Sequence, residues 1–564
     1  MAAASPYSLM RTRWSALKTE RSSWVEHWAD LSRYVLPRTG RFTVTDRNSG
    51  RRKDNQIYDN TATRSLRVLA AGLMSGMTSP ARPWFRLTVP DPEMAKDPAT
   101  KAWLAETTQK ILDVFAASNT YLTLHTAYEE LGLYGTAASV VMDDYDSVLW
   151  HYHTPVGEYA LASDYKGRVD TLFREFQKPV GEVVKEFGLE NCSVTIKNLY
   201  AAGSLDAWVT LVHAIQPRSD RDLTKPDAKN KAWSSCYFEL GQDNDKVLRE
   251  GGFDRFPALV SRWQKQGGDI YGMSPAMETL GDIKQLQHEQ LRKANAIDYH
   301  TKPPLQAPTS MKGRDADLLP GGITYVDTPG QQNAISTMWN VSLNLDHLLA
   351  DIHDVRGRIR EGFYADLFLM LANDQQGQMT ATEVAERHEE KMLVLGPVLE
   401  RLHNELLEPL VETAFAKLVA AGALPPPPEA MQGMPLDVQF VSVLAQAQRA
   451  ISTNSIDRFV GNIGAVAAFK PDVLDKFDAD KWADVYADSL GIEPTLIVPS
   501  ATVAMIRDQR AQAQAKAQQV AMAEQAASAA QKLGGVATQG GQSNAAADMM
   551  NQFAGYGSPS GTEL

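Results

Sequence analysis

The sequence has little cysteine and no long apolar run. Among 564 residues only Cys192 and Cys236 are cysteines, and neither belongs to a CxxC pair. This excludes a disulfide framework and a cysteine-based zinc cluster. Because no stretch of 18 or more apolar residues occurs, we expect no membrane span. The N terminus lacks a cationic segment followed by an apolar one, so we also expect no secretion signal and synthesis in a reducing cytoplasm.

The motifs of common nucleotide and metal enzymes are also missing. There is no GxxxxGK[ST] loop and no GxGxxG, so the chain is not itself an ATP-driven motor. His288-Glu289 and His388-Glu389 each lack the second histidine of HExxH. Asp143, Asp144 and Asp146 lie between two predicted strands, where neighbouring carboxylates are typical of a hydrated turn. We therefore predict no metal, no cofactor, no catalytic residue and no enzymatic activity.

What is present is the balance of a large soluble protein. Hydrophobic residues make up 44% of the chain and charged residues 22%, with a mean hydropathy of -0.30. The length allows about three or four compact units. The formal net charge of -12 argues against a protein that grips nucleic acid over its whole surface.

The first half of the chain predicts helices followed by strands. Apolar spacing indicates a helix from Tyr7 to Leu36 and a second helix through Leu66, Leu69, Leu73 and Met77. From Gly135 to about Arg262, short β-like runs alternate with Gly, Pro and Asp turns. This region predicts antiparallel strands in an α+β arrangement.

Two long helices are predicted next. Ser274 and Pro275 form a helix start, with the Ser as cap and the Pro in the first turn. In the second helix, apolar residues alternate four and three apart: Val341, Leu345, Leu348, Ile352, Val355 and Ile359. This seam predicts lengthwise helix packing, either as a hairpin with the preceding helix or against neighbouring subunits, and the period does not separate the two.

The remaining segments predict a loop, a kinked helix and a helical C-terminal part. Residues Ala365 to Met379 change from apolar to polar and predict a loop with an anchored base. Thr380 and Glu383 form a capping box that opens a helical run ending near Gly422, with kinks expected at Gly396-Pro397 and Glu408-Pro409. A smaller helical unit, Val441 to Leu490, precedes an Ala- and Gln-rich helix, and the tail from Gly534 is predicted to be disordered.

Three segments together resemble the portal, or head-to-tail connector, proteins of short-tailed double-stranded DNA bacteriophages. They are YDNTATRSLRVLAAGLMSGMTSPARPWFRL (Tyr58 to Leu87), IYGMSPAMETLGDIKQLQ (Ile270 to Gln287) and TATEVAERHEEKMLVLGPVLERLHNELLEPLV (Thr380 to Val411). None of them is an active-site motif. Their order and spacing over roughly Tyr7 to Pro425 carry the resemblance.

The resemblance implies a mainly helical α+β fold of the portal type, divided as follows: N-terminal helices and wing, residues 1–273; first stem helix, 274–300; clip, 301–338; second stem helix, 339–363; tunnel loop, 364–379; kinked long helix, 380–424; crown, 425–499; C-terminal helix of a possible barrel, 500–533; and tail, 534–564. It further implies that DNA passes the tunnel-loop residues Asn373, Asp374, Gln375, Gln376 and Gln378.

The function implied by the resemblance is a homododecameric ring at one capsid vertex, through which double-stranded DNA enters during packaging and leaves during ejection. The implied partners are other copies of the chain, DNA passing without sequence-specific binding, the large terminase subunit, major capsid and scaffolding proteins, and head-tail adaptor and tail proteins, with no membrane. The implied location is the virion, after synthesis in the host cytoplasm.

The charge pattern agrees with such a conduit. Residues 373–378 carry one charge in six, and Thr380 to Gly422 holds eight Glu against two Arg and two Lys. Each neutralised phosphate would add affinity and therefore friction, so few cations suit a channel in which DNA slides. Two alternatives stay open at this point: a monomeric serine hydrolase with Ser274 as nucleophile, and a cytosolic helical adaptor that never meets DNA.

Overall fold

The fold is taken from a computed structural model. It describes residues 5–42, 56–91, 94–225, 227–240, 247–302, 305–306, 336–337, 346–372, 395–431, 433–441, 459–467, 469–490, 498 and 500–534. The chain divides into two compact units, Met1–Ile451 and Ser452–Leu564, which are considered separately below.

Helices and strands are mixed, as the sequence predicts. The helices are α1 Pro6–Tyr34, α2 Thr61–Met77, α3 Pro98–Ala117, α4 Thr120–Tyr134, α5 Val180–Phe187, α6 Val194–Ala201, α7 Pro275–Glu278, α8 Leu280–Thr301, α9 Asp346–Gly362, α10 Ala365–Ala372, α11 Glu408–Ala420, α12 Ala479–Leu490 and α13 Ser500–Gly534. The strands are β1 Phe85–Thr88, β2 Thr136–Asp144, β3 Val148–Thr154, β4 Tyr159–Ser163, β5 Val169–Pro179, β6 Trp208–Pro217, β7 Trp233–Glu239, β8 Arg249–Phe253, β9 Ala258–Arg262, β10 Leu305–Gln306, β11 Ser336–Thr337 and β12 Asp437–Phe440.

The predicted strand region forms two antiparallel sheets. One sheet has the strand order β4-β5-β6-β7-β8 and the other has the order β3-β2-β9. Helix α1 covers one face of the larger sheet, where Trp14 stacks on Phe173 with ring centroids 6.2 Å apart. Helices α5 and α6 pack their apolar residues on the other face. In the acidic stretch, Asp143 and Asp144 end β2 and Asp146 lies in the turn before β3. Asp144 accepts hydrogen bonds from the Ser147 amide and hydroxyl at 2.8 and 2.7 Å.

The main core joins the N-terminal helices to the two long helices. Helix α2 buries Leu66, Leu69 and Leu73 completely, and it packs against α4, α9 and α10. The seam of α9 points into the same core, where Ile352, Val355 and Ile359 are buried. Helices α8 and α9 also pack against each other. The described residues thus form the hairpin within one chain, and packing of the stem against neighbouring subunits stays a prediction.

The predicted helix start at Ser274 and Pro275 is present, but the helix is not continuous. A short turn, α7, comes first, and α8 starts again at Leu280 after Thr279. The second long helix is described from Asp346 onward, so Val341 and Leu345 lie outside the described residues.

The loop predicted from Ala365 is wrong for its first half. Residues Ala365–Ala372 form helix α10, and the tunnel-loop residues Asn373 to Gln378 lie outside the described residues. The apolar run explains the difference, because Leu367 and Phe368 are buried in the main core. An apolar segment of this kind gains more from helix packing than from an exposed irregular path.

The helix behind this segment is distorted where a proline demands it. Residues 395–402 are helical, His403–Leu407 adopts a π-helical turn, and α11 continues to Ala420. The amide of Glu408 bonds to the carbonyl of His403, five residues earlier. Pro409 has no amide hydrogen to donate and its ring crowds the preceding turn, so the widening falls at the predicted Glu408-Pro409 kink. Gly396 and Pro397 stand next to the first described residue of this helix, Leu395, and the preceding turn on which the predicted Gly396-Pro397 kink depends lies outside the described residues.

The chain returns to its N-terminal part after α11. Gly422 has a φ of +63° and follows the helix end. The Trp103 indole donates to the Pro425 carbonyl at 3.0 Å, and β12 then pairs antiparallel with β1. Strand β12 lies inside the segment 425–499 predicted as crown, yet it belongs with the first unit.

The second unit is helical where it is described. Trp482 stacks on Tyr486 with ring centroids 5.1 Å apart, and Phe477 contacts Trp482 in a tilted arrangement at 5.9 Å. Helix α13 has 35 residues, and its side chains from Ala504 to Ala526 are exposed on all sides. Among the described residues, no helix combines the length and the apolar character needed to cross a bilayer.

Candidate functional site

Ser274 and the two cysteines, which could in principle act as nucleophiles, are buried. Ser274 is fully buried, its hydroxyl donates to the Leu133 carbonyl at 2.8 Å, and its oxygen accepts from the Met277 amide at 3.0 Å. Cys192 and Cys236 are buried, and burial raises the pKa of each thiol to about 11. Within the described ranges, no three His, Cys, Asp or Glu side chains are grouped to hold a metal ion. Ser274 is therefore a helix cap and not an exposed nucleophile.

The residues predicted for the stem lie on the face of α9 that packs into the chain. Ile352, Val355 and Ile359 are buried and Leu348 is half-buried, following the four-and-three spacing of the sequence. On α8 the facing apolar residues are Ile283 and Leu286, both fully buried. Arg358 of α9 also reaches Asp282 of α8 at 2.9 Å. The two helices are thus held together by an apolar seam with an ion pair beside it.

A turn before α2 is tied to both of these helices. The Asp59 carboxylate accepts two hydrogen bonds from the Arg356 guanidinium on α9, at 3.0 and 2.7 Å. Gln287 of α8 donates to the Asp59 carbonyl at 2.9 Å and accepts from the amides of Tyr58 and Asp59 at 2.7 and 2.8 Å. We call Asp59, Gln287 and Arg356 the joint. It fixes the start of α2 to the hairpin formed by α8 and α9.

The electrostatics of the joint keep its carboxylate charged. Burial by itself raises the pKa of Asp59, but hydrogen bonds from Thr61 and Arg356 outweigh it, and the pKa lies below the ordinary value. Asp59 is 8% exposed and Gln287 is 4% exposed. A buried carboxylate of this kind is stabilising only while its cation is present.

A second ion pair joins the strand region to the distorted helix. Arg262 at the end of β9 binds both carboxylate oxygens of Glu405 in the π-helical turn, at 2.6 Å from Nη2 and 3.1 Å from Nε. The backbone amide of Arg262 donates to the same carboxylate at 3.0 Å. The Arg262 side chain is 3% exposed and the Glu405 side chain is 20% exposed, so the guanidinium is buried while the carboxylate keeps some contact with solvent.

A carboxylate pair lies between the two long helices. Glu289 of α8 is buried, and one of its oxygens has no hydrogen-bond partner in the described structure. Burial first, and then the neighbouring Asp351 of α9, raise the pKa of Glu289, while the Gln285 hydrogen bond and Arg358 act in the opposite direction. The raised pKa predicts that proton binding to Glu289 changes the stability of the hairpin.

Sequence reasoning found the seam but missed the joint and the second ion pair. Asp59, Gln287 and Arg356 are polar residues separated by 228 and 69 positions, and one sequence does not show which of them meet. The available signal was that Asp59 precedes Thr61 at a helix start, a pattern of local hydrogen bonding.

The chain matches a family model and two known phage proteins, among others. The family model described as "Bacteriophage head to tail connecting protein" matches residues 8–498. The chain is 59% identical over 556 residues to a probable portal protein of Bordetella phage BPP-1, covering 99% of this chain and 100% of that protein. It is 45% identical over 501 residues to the portal protein of Salmonella phage epsilon15, covering 88% of this chain and 90% of that protein.

One solved structure can be set beside these. A chain from the virion of a native gene transfer agent particle is 12% identical, with a TM-score of 0.31, and the match covers 77% of this chain and 91% of that one. At this score the likeness carries no argument about the fold.

Proposed function

The chain belongs to the family of bacteriophage head to tail connecting proteins, and on that premise we propose that it is a portal subunit whose copies form the channel for double-stranded DNA at the junction of head and tail. The observation that carries the proposal is the family match over residues 8–498, together with 59% identity to a portal relative over nearly its whole length. Portal proteins of phages are structural components of the virion and not enzymes. The hydrolase hypothesis therefore fails on family as well as on the buried Ser274.

The assembly that we propose is a ring of twelve copies at one capsid vertex. In this ring the antiparallel sheets form the wing, the α8–α9 hairpin forms the stem, and residues 301–338 form the clip. The residue range proposed for the tunnel loop now begins after α10, because Ala365–Ala372 is helical.

The channel is proposed to pass DNA without holding it. Twelve chains with a net charge of -12 each carry -144 in total. Negative charge repels the phosphates of DNA. With fewer lysine and arginine contacts to the phosphates, there is less friction against the moving DNA. Asn373, Gln375, Gln376 and Gln378 would offer hydrogen bonds to the backbone, which position DNA but do not read its sequence.

The composition and the exposed side chains of helix α13 support the proposal that copies of the chain assemble. About 52 Å long at 1.5 Å per residue, it is rich in Ala and Gln and leaves Met505, Val520 and Met522 more than half exposed. A helix with so little to bury gains stability mainly from packing against other helices. We assign it to a barrel of like helices from neighbouring subunits.

The partners proposed for the ring follow from its place in the particle. The large terminase subunit would dock during packaging, major capsid and scaffolding proteins would surround the vertex, and head-tail adaptor and tail proteins would bind after packaging. A cytosolic adaptor would meet none of these, so copurification with capsid or terminase components separates the two hypotheses.

Native mass spectrometry of the purified chain tests the proposal. A ring of twelve copies of 62.0 kDa has a mass of about 744 kDa, which is the expected result. A different closed ring would correct the copy number and keep the function. A monomer that persists under all assembly conditions would overturn the proposal.

A further inference from the structure

We infer that Asp59 is a positioning residue that couples the α8–α9 hairpin to helix α10, and through α10 to the segment proposed to face DNA. The inference rests on the proposed portal function for its last step only. Its structural part, from Asp59 to α10, is argued from contacts within the first unit.

The first link is the grip of Asp59 on both helices. Arg356 Nε and Nη2 approach the same carboxylate oxygen of Asp59 at 3.0 and 2.7 Å, and Gln290 of α8 donates to that oxygen at 3.2 Å. Gln287 adds three hydrogen bonds to the backbone of Tyr58 and Asp59. One short turn therefore contacts α8 and α9 at once, and neither helix can shift along the other without breaking charge-assisted bonds.

The second link is helix α2, which begins two residues after Asp59. Asp59 also accepts from the Thr61 amide at 2.9 Å, so the carboxylate that binds α9 fixes the first turn of α2 as well. Helix α2 spans 17 residues, about 26 Å, and its apolar face is buried. A packed helix of this length moves as one body, so a displacement at Thr61 reaches its far end.

The third link is the contact of α2 with α10. A Cβ placed on Gly72 of α2 would lie 2.2 Å from Phe368 Cδ1 of α10, so the Phe368 ring sits directly against the glycine backbone. Phe368 is 5% exposed. Any residue larger than glycine at position 72 would collide with this ring, so the close packing of α10 on α2 depends on Gly72.

The fourth link closes a triangle of helices. Helix α10 follows α9 after Phe363 and Tyr364, and Tyr364 has a φ of +56°, an uncommon conformation for an aromatic residue. Helix α9 thus contacts α2 through the joint and continues into α10 through a strained turn. A change in the angle between α8 and α9 must then change the position of α10 on α2. Helix α10 ends at Ala372, and Asn373 follows it in the sequence.

The test compares Asp59→Asn with a matched control in assembled rings. Asp59→Asn keeps the shape of the side chain but removes its charge. Asp30→Asn is the control, because it removes the 2.7 Å pair between Asp30 and Lys284, which also ties α8 to the N-terminal part but is about two-fifths exposed. Amide hydrogen exchange is measured in residues 365–372, with β5 and β6 as an internal reference, and DNA passage is measured on the same rings.

The expected result is exchange in α10 faster by on the order of tenfold for Asp59→Asn, with the β5–β6 reference unchanged, and with slower DNA passage. Asp30→Asn leaves both readouts unchanged. A purely structural role would raise exchange throughout the first unit, and that outcome would overturn the inference. Unchanged exchange in α10 would overturn it as well.

Two further variants guard the result. If Asp59→Asn fails to fold, Arg356→Lys is the second variant. It keeps the positive charge but loses the two hydrogen bonds from Nε and Nη2 to Asp59, and hydrogen exchange and DNA passage are measured in the same way. Gly72→Ala perturbs the other end and should alter exchange in residues 346–362, because coupling between two sites is reciprocal. The failure of the unchanged chain to form rings would count against the proposed function, whereas the exchange comparison decides the coupling by itself.

Discussion

Arg262 and Glu405 form a three-point contact, with the guanidinium buried, that joins the end of a β-strand to a π-helical turn 143 residues later in the chain. Both carboxylate oxygens of Glu405 bind the guanidinium, and one of them also accepts from the Arg262 amide at 3.0 Å. The guanidinium also donates to the Gly167 carbonyl at 2.9 Å. The contact holds the strand region against the distorted helix at its widest turn.

Replacing Glu405 with Gln should destabilise the protein strongly. The change leaves the Arg262 charge buried without a counter-ion, which costs about 3–5 kcal/mol for pairs of this kind. Thermal melting of the purified protein measures the loss. The control is Glu412→Gln, which removes an exposed pair with Arg255 at 3.3 Å and should cost less than about 1 kcal/mol. Equal effects of the two variants would contradict the burial of the guanidinium.

Replacing Ile352 with Asp should prevent folding. Ile352 is 1% exposed in the seam between α9 and its neighbours, where apolar side chains surround it, and burying a carboxylate among them is costly. Soluble yield and circular dichroism are the measurements. His353→Asp changes the adjacent exposed position and should leave both unchanged. Leu348→Asp, at a half-buried position, should be intermediate. Normal folding of Ile352→Asp would refute the packed seam.

Replacing Glu289 with Gln should stabilise the protein, and more so at higher pH. The raised pKa means that the folded state takes up a proton before the unfolded chain does, so this group lowers stability as pH rises from its ordinary pKa through the raised one. Above that window the cost of the charged form is fully present. Gln removes the charge facing Asp351, and the gain should be roughly 1 kcal/mol at pH 8 and near zero at pH 4.

Melting curves from pH 4 to pH 8 measure this difference. Glu361→Gln, at an exposed position of the same hairpin, should show no such trend. A stabilisation that is independent of pH would show that the Glu289 carboxylate is not the titrating group.

Replacing Asp374 with Lys should slow DNA passage without preventing ring assembly. The change adds two units of positive charge per chain, and each phosphate contact so gained increases affinity for the moving DNA. Packaging rate at low salt is the measurement, with Asp374→Asn as the variant that removes charge without adding a cation. Unchanged packaging at low salt for Asp374→Lys would show that this segment does not approach DNA.

The sequence predicted those parts of the fold that depend on local pattern. The part of the α9 seam from Leu348 to Ile359, the Ser274 cap and the Glu408-Pro409 distortion follow from periodicity, capping and proline chemistry, and each is present among the described residues. Helix α10 was missed because a short apolar run is equally compatible with a loop base and a buried helix. The packing of Phe368 against Gly72 of α2 favours the buried helix over the loop.

The sequence does not predict the long-range polar contacts, for a different reason. The pairing of Asp59 with Arg356 and of Arg262 with Glu405 depends on how helices and strands are arranged in space, and charged residues occur at many positions that would satisfy the same local rules. Likewise, the pairing of β12 with β1 brings together segments about 350 residues apart. Such contacts follow from the tertiary fold.

An electron-microscopy map of the purified assembly tests the central claim most directly. The account predicts a closed ring of identical subunits around an open channel, with the α8–α9 hairpins side by side and a channel wall poor in arginine and lysine. A solitary subunit, or a channel lined by arginine side chains, would contradict it.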